Sequence, residues 1–406
     1  MRVSTLLRCL VGVSGLFAES LRFEGGVMVI SVKPRRRRTR CAQCERVCPG
    51  YDRLPPRRWR HLGIGRLRIE LEYAPRRVSC KSCSGVHVEA VAWAAHASNF
   101  TYDFEELVAY LAQVTDKTRV TELMGIAWST VGSIVQRVVD RKIDPDLLED
   151  LRFIGVDEFG YKKRHNYLTL VVDHDGKRVV WTEKGHDSAT LKAFFDELGP
   201  ERCAKIECVT MDLSAAFIKA VEDRVPQARI VFDRFHVQRL ASDALDEVRR
   251  EQLRDLRGTP EGRDLFRSRF ALLKNPWNLT TSESGRLSNV QRANAPLYRA
   301  YLLKETLAKA LEYQQPLRAE RALHEWLAWA ARSRLKPFVR AARTVRKHFD
   351  GILAYVSERM TNAFLEGMNN RIRMIAHRAY GFHDHVALSA MIFLCCSGIV
   401  LDPPLP

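Results

Sequence analysis

Hydrophobic and polar positions divide the chain into four zones. Residues 1–32 alternate the two, as in "VMVISV", and predict a short strand-rich lead-in. Residues 33–95 alternate again in "GRLRIELEYAPRRVSC", which predicts strands with a hairpin return. From Thr101 the period lengthens. "DFEELVAYLAQ", "KTRVTELMG" and "STVGSIVQRVVDRK" predict three short helices within 101–145, with Gly125 in the turn before the last. Ser129 and Thr130 are expected to cap that last helix, and Val131, Ile134, Val135 and Val138 to form its buried stripe.

The fourth zone opens with "RFIGVD", "NYLTLVVD" and "KRVVWTE", three expected strands, the last two joined by the hairpin turn His174-Asp175-Gly176. "SATLKAFFDEL" predicts a helix with Ser188 as N-cap, "IECVTMD" a strand, "SAAFIKAVEDR" a helix and "ARIVFD" a strand. After Phe235 the pattern is helical almost to the end. Three strands followed by helix, strand, helix, strand predict an α/β domain with a mixed sheet.

Composition adds a partner. The 406 residues suffice for two or three domains, and no run is long and apolar enough to span a membrane. The first twenty residues resemble a signal peptide only faintly, because Arg8 interrupts the apolar run and no small-residue cleavage site follows. Ten scattered cysteines point to a reducing cytoplasm rather than a disulfide framework. The net charge is +17, and Lys33 to Arg77 alone hold 15 Lys/Arg against 4 Asp/Glu. Such a patch is the footprint of a polyanion, nucleic acid first. Arg35, Arg36, Arg37 and Arg38 lead straight into a cysteine pair.

That pair is Cys41-x-x-Cys44, and Cys80-x-x-Cys83 repeats it. Each two-residue gap turns both sulfurs toward one point, so four thiolates can close a tetrahedron around zinc. With all four positions taken by sulfur, this zinc would hold structure; Cys48 is expected to be a bystander. The three helices that follow have the layout of a helix-turn-helix, whose last helix enters the major groove. Its expected DNA-facing residues are Ser129, Thr130, Ser133, Gln136 and Arg137.

The carboxylates suggest chemistry. Asp157 is expected to end the first strand and Asp212 the fourth. In a ribonuclease H-like sheet those strands are neighbours, so both acids would meet at one sheet edge. Two such groups repel unless a cation joins them, and magnesium prefers oxygen ligands. A third ligand is expected from the helix "TNAFLEGMNNRIRMI". There Leu365, Met368, Ile372 and Ile375 form the buried stripe, and Asn362, Glu366, Asn369 and Arg373 form a second. Three carboxylates so placed suit two-metal phosphoryl transfer. Glu158 is expected on the opposite strand face.

Together, the cysteine knuckles, the three helices, "VDEFGYKKRHNYLTLVVD", "TMDLSAAFIKAV", "ARIVFDRFHV" and "TNAFLEGMNNRIRMIAHRAYGF" resemble bacterial insertion-sequence transposases of the ISL-three family, from about Arg40 to Phe382. The resemblance implies catalytic acids Asp157, Asp212 and Glu366 with magnesium or manganese. Asp233 and His236 match an element found near the active site of related groups, a structural histidine being the alternative for His236, and Asn362 and Asn369 are further candidate neighbours. It implies a ribonuclease H-like catalytic domain over 150–239 and 347–398, interrupted by an all-helical insertion over 240–346. A zinc ribbon (33–95) and a helix-turn-helix (101–145) precede it. The implied partners are terminal inverted repeats and target DNA, with at least two copies of the chain to bring two ends together. Trp277 lies in the insertion; packing is its expected use, stacking on an unpaired base the alternative. The competing readings are a transposase-derived DNA-binding regulator that does not cut, and a ribonuclease H-like nuclease. The ribbon and the long insertion argue against the nuclease.

Overall fold

The structure is a computed structural model. It describes residues 11–13, 15–35, 38–162, 166–358, 363–379, 382 and 384–403, apart from the side chains of residues 264, 358 and 363. The chain forms two compact units, one of residues 1–144 with 378–406 and the other of residues 145–377.

In the first unit β1 (Leu16–Glu24) and β2 (Val27–Pro34) form a hairpin. Short strands β3 (Thr39–Arg40), β4 (Val47–Cys48) and β5 (Gly50–Arg53) follow, then the hairpin β6 (Arg57–Ile64) and β7 (Leu67–Tyr73), then β8 (Arg76–Cys80) and β9 (Gly85–Val88). The alternation in "LRIELEY" buries Ile69, Leu71 and Tyr73 and turns Arg68, Glu70 and Glu72 outward. The lead-in does not stand apart. β2 runs parallel to β7, giving a sheet of order β1-β2-β7-β6 over a core of Leu16, Ile30, Trp59, Ile69, Leu71 and Trp93. A separate sheet, β5-β8-β9, and the small pair β3-β4 carry the cysteines.

Helices α1 (Tyr102–Val114), α2 (Lys117–Met124) and α3 (Trp128–Lys142) complete the first unit with the C-terminal helix His385–Cys396. Val131, Ile134, Val135 and Val138 are buried as the pattern predicted, packed against Phe104, Val108, Ala390 and Leu394. Gly125 ends α2 in the left-handed conformation (φ 56°), where a side chain is strained. The cap of α3 differs from expectation. The helix begins at Trp128 with Ala127 as N-cap and no side-chain cap, so Ser129 and Thr130 lie inside its first turn.

Glu105 of α1 is fully buried and answered from three sides: Ser98 Oγ at 2.7 Å, Arg137 Nη2 at 2.7 Å and Arg141 Nη1 at 3.1 Å. Glu105→Ala would leave two guanidinium groups without their anion. Breaking a buried pair costs about 3–5 kcal/mol; both arginines keep partial solvent, so about 3 kcal/mol is expected. Urea unfolding of the full chain checks this, and an unchanged midpoint would show that the cluster contributes nothing.

The second unit is built on β10 (Phe153–Lys162), β11 (Asn166–Asp173), β12 (Arg178–Lys184), β13 (Cys208–Met211) and β14 (Arg229–Phe232). Their order is β12-β11-β10-β13-β14; β11 is antiparallel to both its neighbours, while β10, β13 and β14 are parallel. In the turn after β11 a Cβ added at Gly176 would lie 2.3 Å from Asp173 Oδ2, so a side chain there would displace the Asp173 carboxylate. Helices α4 (Ser188–Leu198), α5 (Pro200–Cys203) and α6 (Ala215–Arg224) connect the strands. The N-cap of α4 is Asp187, which accepts from Thr190 N, rather than Ser188. An aspartate one position earlier presents a longer-reaching, charged acceptor to the same donors.

Helices α7 (Arg234–Asp255), α8 (Pro260–Arg267), α9 (Arg269–Leu273), α10 (Thr281–Ala293), α11 (Ala295–Ala310), α12 (Pro316–Arg332), α13 (Lys336–Lys347), α14 (Phe349–Glu358) and α15 (Ala363–Arg378) follow. Leu297, Leu303, Leu307, Leu323, Trp326 and Phe338 are buried among them. Trp277 is not: it is 70% exposed, against the expectation of packing. It sits on a short 3₁₀ turn that the helix pattern does not bury.

Candidate functional site

Asp157 does not end its strand. β10 runs on to Lys162 in its hairpin with β11, while its parallel neighbour β13 stops at Met211. The last parallel pair is Gly155–Thr210. Asp157 and Asp212 therefore follow at the same level, two residues beyond that pair, on strand lines about 4.8 Å apart. The pair Met211–Phe232 likewise puts Asp233 one step past the end of β14. Three aspartates thus collect where parallel strands end, the edge at which open α/β sheets bind ligands.

Each aspartate is anchored by backbone. Asp157 Oδ1 accepts Glu158 N–H at 2.7 Å, Asp212 Oδ1 accepts Ser214 N–H at 3.0 Å, and Asp233 Oδ1 accepts Phe235 N–H at 2.9 Å. The last bond makes Asp233 the N-cap of α7, with His236 in that helix's first turn. Burial pushes the Asp157 carboxyl above its usual range; Glu158 N–H and Asn369 pull it down, Asp212 raises it further and His236 lowers it. Glu158, expected to face away, is also raised, by burial first and then by Asp212.

Helix α15 brings the remaining residues. Leu365, Met368, Ile372 and Ile375 are buried, as their spacing predicted. Asn369 Nδ2 donates to Asp157 Oδ2 at 2.5 Å. Glu366 lies one turn earlier on the same helix and is exposed. Asp157, Asp212, Asp233, His236 and Asn369 therefore meet at one edge. Glu366 stands on the helix that reaches it, and the acids are not drawn into a three-ligand cluster. Asn362 lies outside the described residues.

A second constellation is closed. Among the described residues, Cys41, Cys44, Cys80 and Cys83 form the one group whose metal-ligating atoms all lie within 4.8 Å of one another. The knuckle turns follow β3 and β8, and positive φ at Glu45 and Ser84 lets each chain reverse. The predicted hairpin between the knuckles exists as β6–β7 but joins the larger sheet. Cys44 and Cys80 sulfurs are 3.5 Å apart. Tetrahedral zinc with 2.3 Å bonds sets sulfurs about 3.8 Å apart, so the quartet fits the ion. Two of its thiols, Cys80 and Cys83, are pushed apart. Cys83 N–H, foremost, brings Cys80 down to about 6, while hydrogen bonding to Cys44 pushes Cys83 up to about 12. Thiolates this close repel unless a cation takes the place of the protons. Cys48 is buried nearby, its thiol directed at Arg46 O, and lies outside the quartet.

The expected DNA contacts divide. Ser133 and Ser129 are exposed on α3, and Gln136 hydrogen-bonds Asp140 at 2.8 Å. Arg137, partly exposed, is paired with Glu105, a partner 32 residues away that helical spacing cannot indicate. Trp128 was missed. It is 54% exposed at the start of α3, with the Lys117 ammonium 3.4 Å above its ring. Arg38 is exposed, Arg35 lies over the Phe17 ring, and Arg36 and Arg37 fall outside the described residues. Several other arginines of the basic zone brace the fold. Arg60 donates to Gly125 O at 2.7 Å and to Met124 O, while Arg58 pairs with Glu24 and Glu72.

Helices for DNA, a cysteine centre and a carboxylate-bearing sheet edge describe a protein that handles DNA, and comparison with known proteins agrees. A family profile described as "Transposase" matches residues 154–392, and one described as "Helix-turn-helix domain of transposase family ISL3" matches residues 89–139. The chain is 38% identical over 430 residues to the transposase for insertion sequence element IS1557 of Mycobacterium tuberculosis, spanning 98% of this chain and 96% of that protein. It is 31% identical over 362 residues to the transposase for insertion sequence element IS1001 of Bordetella parapertussis, spanning 89% of each. The chain belongs to transposase family ISL3.

Proposed function

We propose that this transposase binds the terminal inverted repeats of an insertion sequence and cuts and joins DNA strands at the sheet edge of its second unit. In this reading Asp157, Asp212 and Glu366 hold magnesium or manganese, and the sheet with its helical insertion is a ribonuclease H-like catalytic domain. The observation that carries it is the shared level of Asp157 and Asp212 on adjacent parallel strands, with Asn369, from the helix of Glu366, bonded to the first.

The donor set suits a hard divalent cation: oxygen ligands on two strands, one of them a carboxyl that burial makes costly to ionise alone. A bound cation would activate water or a 3′-hydroxyl and neutralise charge on the phosphate being transferred. The chain's own residues prepare for that. Glu158 and Ser214 N–H groups fix the two carboxylates, and His236 stands near enough to pull the Asp157 carboxyl down. Glu366 would supply the third ligand from α15. The cysteine quartet holds structural zinc in a ribbon, and α3 reads the repeat in the major groove. Two ends must be joined, so at least two copies act together on DNA. Among the described residues no helix is long and apolar enough to cross a membrane.

The test is strand transfer by the purified full chain on duplex DNA carrying the element's ends, with magnesium. Joined products are expected. Tight binding without any cut strand would support the regulator reading instead.

A further inference from the structure

Helix α15 approaches β10 at a point kept bare of side chain. A Cβ added at Gly155 would stand 2.8 Å from Leu365 Cδ1, 2.9 Å from Val172 Cγ2 and 3.0 Å from His174 Nε2. His174 is itself held there, its Nε2 hydrogen-bonded to Thr210 Oγ1 at 2.7 Å and its ring 6.0 Å from that of Phe364. The first turn of α15 therefore seats in a depression formed by β10, β11 and β13. One turn further on, Asn369 donates to Asp157 Oδ2. The other oxygen, Oδ1, accepts from Glu158 N–H. Both oxygens of Asp157 thus have a protein donor, one from its own strand and one from the helix that carries Glu366.

An amide is well matched to that place. It donates one hydrogen without adding charge, and each carboxylate oxygen keeps a second lone pair for another partner. A lysine or arginine there would compete with a cation for the carboxylate. An apolar side chain would leave a largely buried oxygen without a donor.

We infer that Asn369 is a positioning residue for the divalent cation: it fixes the Asp157 carboxylate in a ligand-ready orientation and couples it to the docking of α15, for which Gly155 supplies the space. The inference rests on the assignment of Asp157, Asp212 and Glu366 as cation ligands. It differs from a purely structural role in what it couples, since Gly155 and Asn369 then act on metal affinity through one and the same hydrogen bond.

The experiment is manganese binding to the full chain without DNA, with zinc retained at the cysteines and free Mn²⁺ followed by electron paramagnetic resonance. Thermal melting checks that each variant is folded. Asn369→Ala is expected to weaken Mn²⁺ binding by about tenfold, the lower range for loss of a group that orients a metal ligand. Gly155→Ala should weaken it comparably while removing no polar atom. In a Glu366→Ala background, where a shifted α15 can act on the ion only through Asn369, the double variant should be about as weak as the weaker single variant, because both break one bond. Fully multiplied defects would overturn the coupling. Unchanged affinity in Asn369→Ala, with binding lost in Asp157→Ala, would overturn the role of Asn369 and leave the ligand assignment standing. Wild-type Mn²⁺ binding in Asp157→Ala would overturn the assignment, and the inference with it. If Gly155→Ala does not fold, Asn369→Ala and Asp157→Ala still decide the matter.

Discussion

Asp212→Asn should abolish cutting and joining of DNA strands while leaving end binding and thermal stability as they are. The substitution is chosen for what it keeps. Asparagine still offers an oxygen to Ser214 N–H, so the turn into α6 retains its bond. What disappears is one unit of negative charge at the end of β13. If the acids hold the reactive cation, a loss of about a thousandfold or more in strand transfer is expected, on the order of 4 kcal/mol of transition-state stabilisation. Asp233→Asn should retain activity by comparison, because Asp233 spends its carboxylate as the N-cap of α7. Product formation on end-bearing DNA, with binding measured in parallel, checks both. Full activity in Asp212→Asn would remove Asp212 from the chemistry.

If the quartet holds zinc, as proposed, removing the ion should have the second large effect, in a different place. The quartet is held by short strands, β3, β4, β8 and β9, and its own cluster of buried residues is little more than the cysteines and Val78. So small a core cannot offset the entropy of ordering those turns without the ion. Structural zinc contributes about 10–16 kcal/mol in small zinc-finger peptides, so its loss outweighs any single side-chain contact here. Chelation, or Cys44→Ser, should raise hydrogen exchange across residues 39–90, leave Phe153–Phe232 protected and weaken end binding by at least about tenfold, the scale of one lost decade in affinity. The folded chain should carry one zinc per copy. Exchange that stays unchanged when the metal content falls to zero would contradict a structural role.

What the sequence made legible follows from which forces act locally. The stripe Val131, Ile134, Val135 and Val138 is buried because helical spacing alone puts those side chains on one face. The cysteine quartet could be read because two short gaps fix two sulfurs each, leaving only the return of one knuckle to the other to be supplied by the fold. Asp157 was misread as a strand end because alternation describes a strand's faces, not where its neighbour stops. The lead-in was separated from the ribbon because its pairing is a parallel contact between β2 and β7, about forty residues apart along the chain, which no turn announces. The ion pair of Arg137 is not legible in the sequence because its anion, Glu105, sits on another helix. Trp277 looked buried because a large aromatic usually is, yet it sits on a short turn that no neighbouring element covers. Trp277 apart, the deciding contact in each of these cases is long-range.

One measurement bears most directly on the acids. It is the anomalous X-ray signal of manganese in a crystal of the full chain bound to its own element's end DNA. The account predicts a peak at the shared end of β10 and β13, about 2.0–2.3 Å from carboxylate oxygens of both Asp157 and Asp212, the distance expected of a small hard cation. It also predicts Glu366 turned in from α15 to the same ion or to a second one beside it. A fully assembled DNA complex with no ion at that edge, or with Glu366 still directed to solvent, would contradict it.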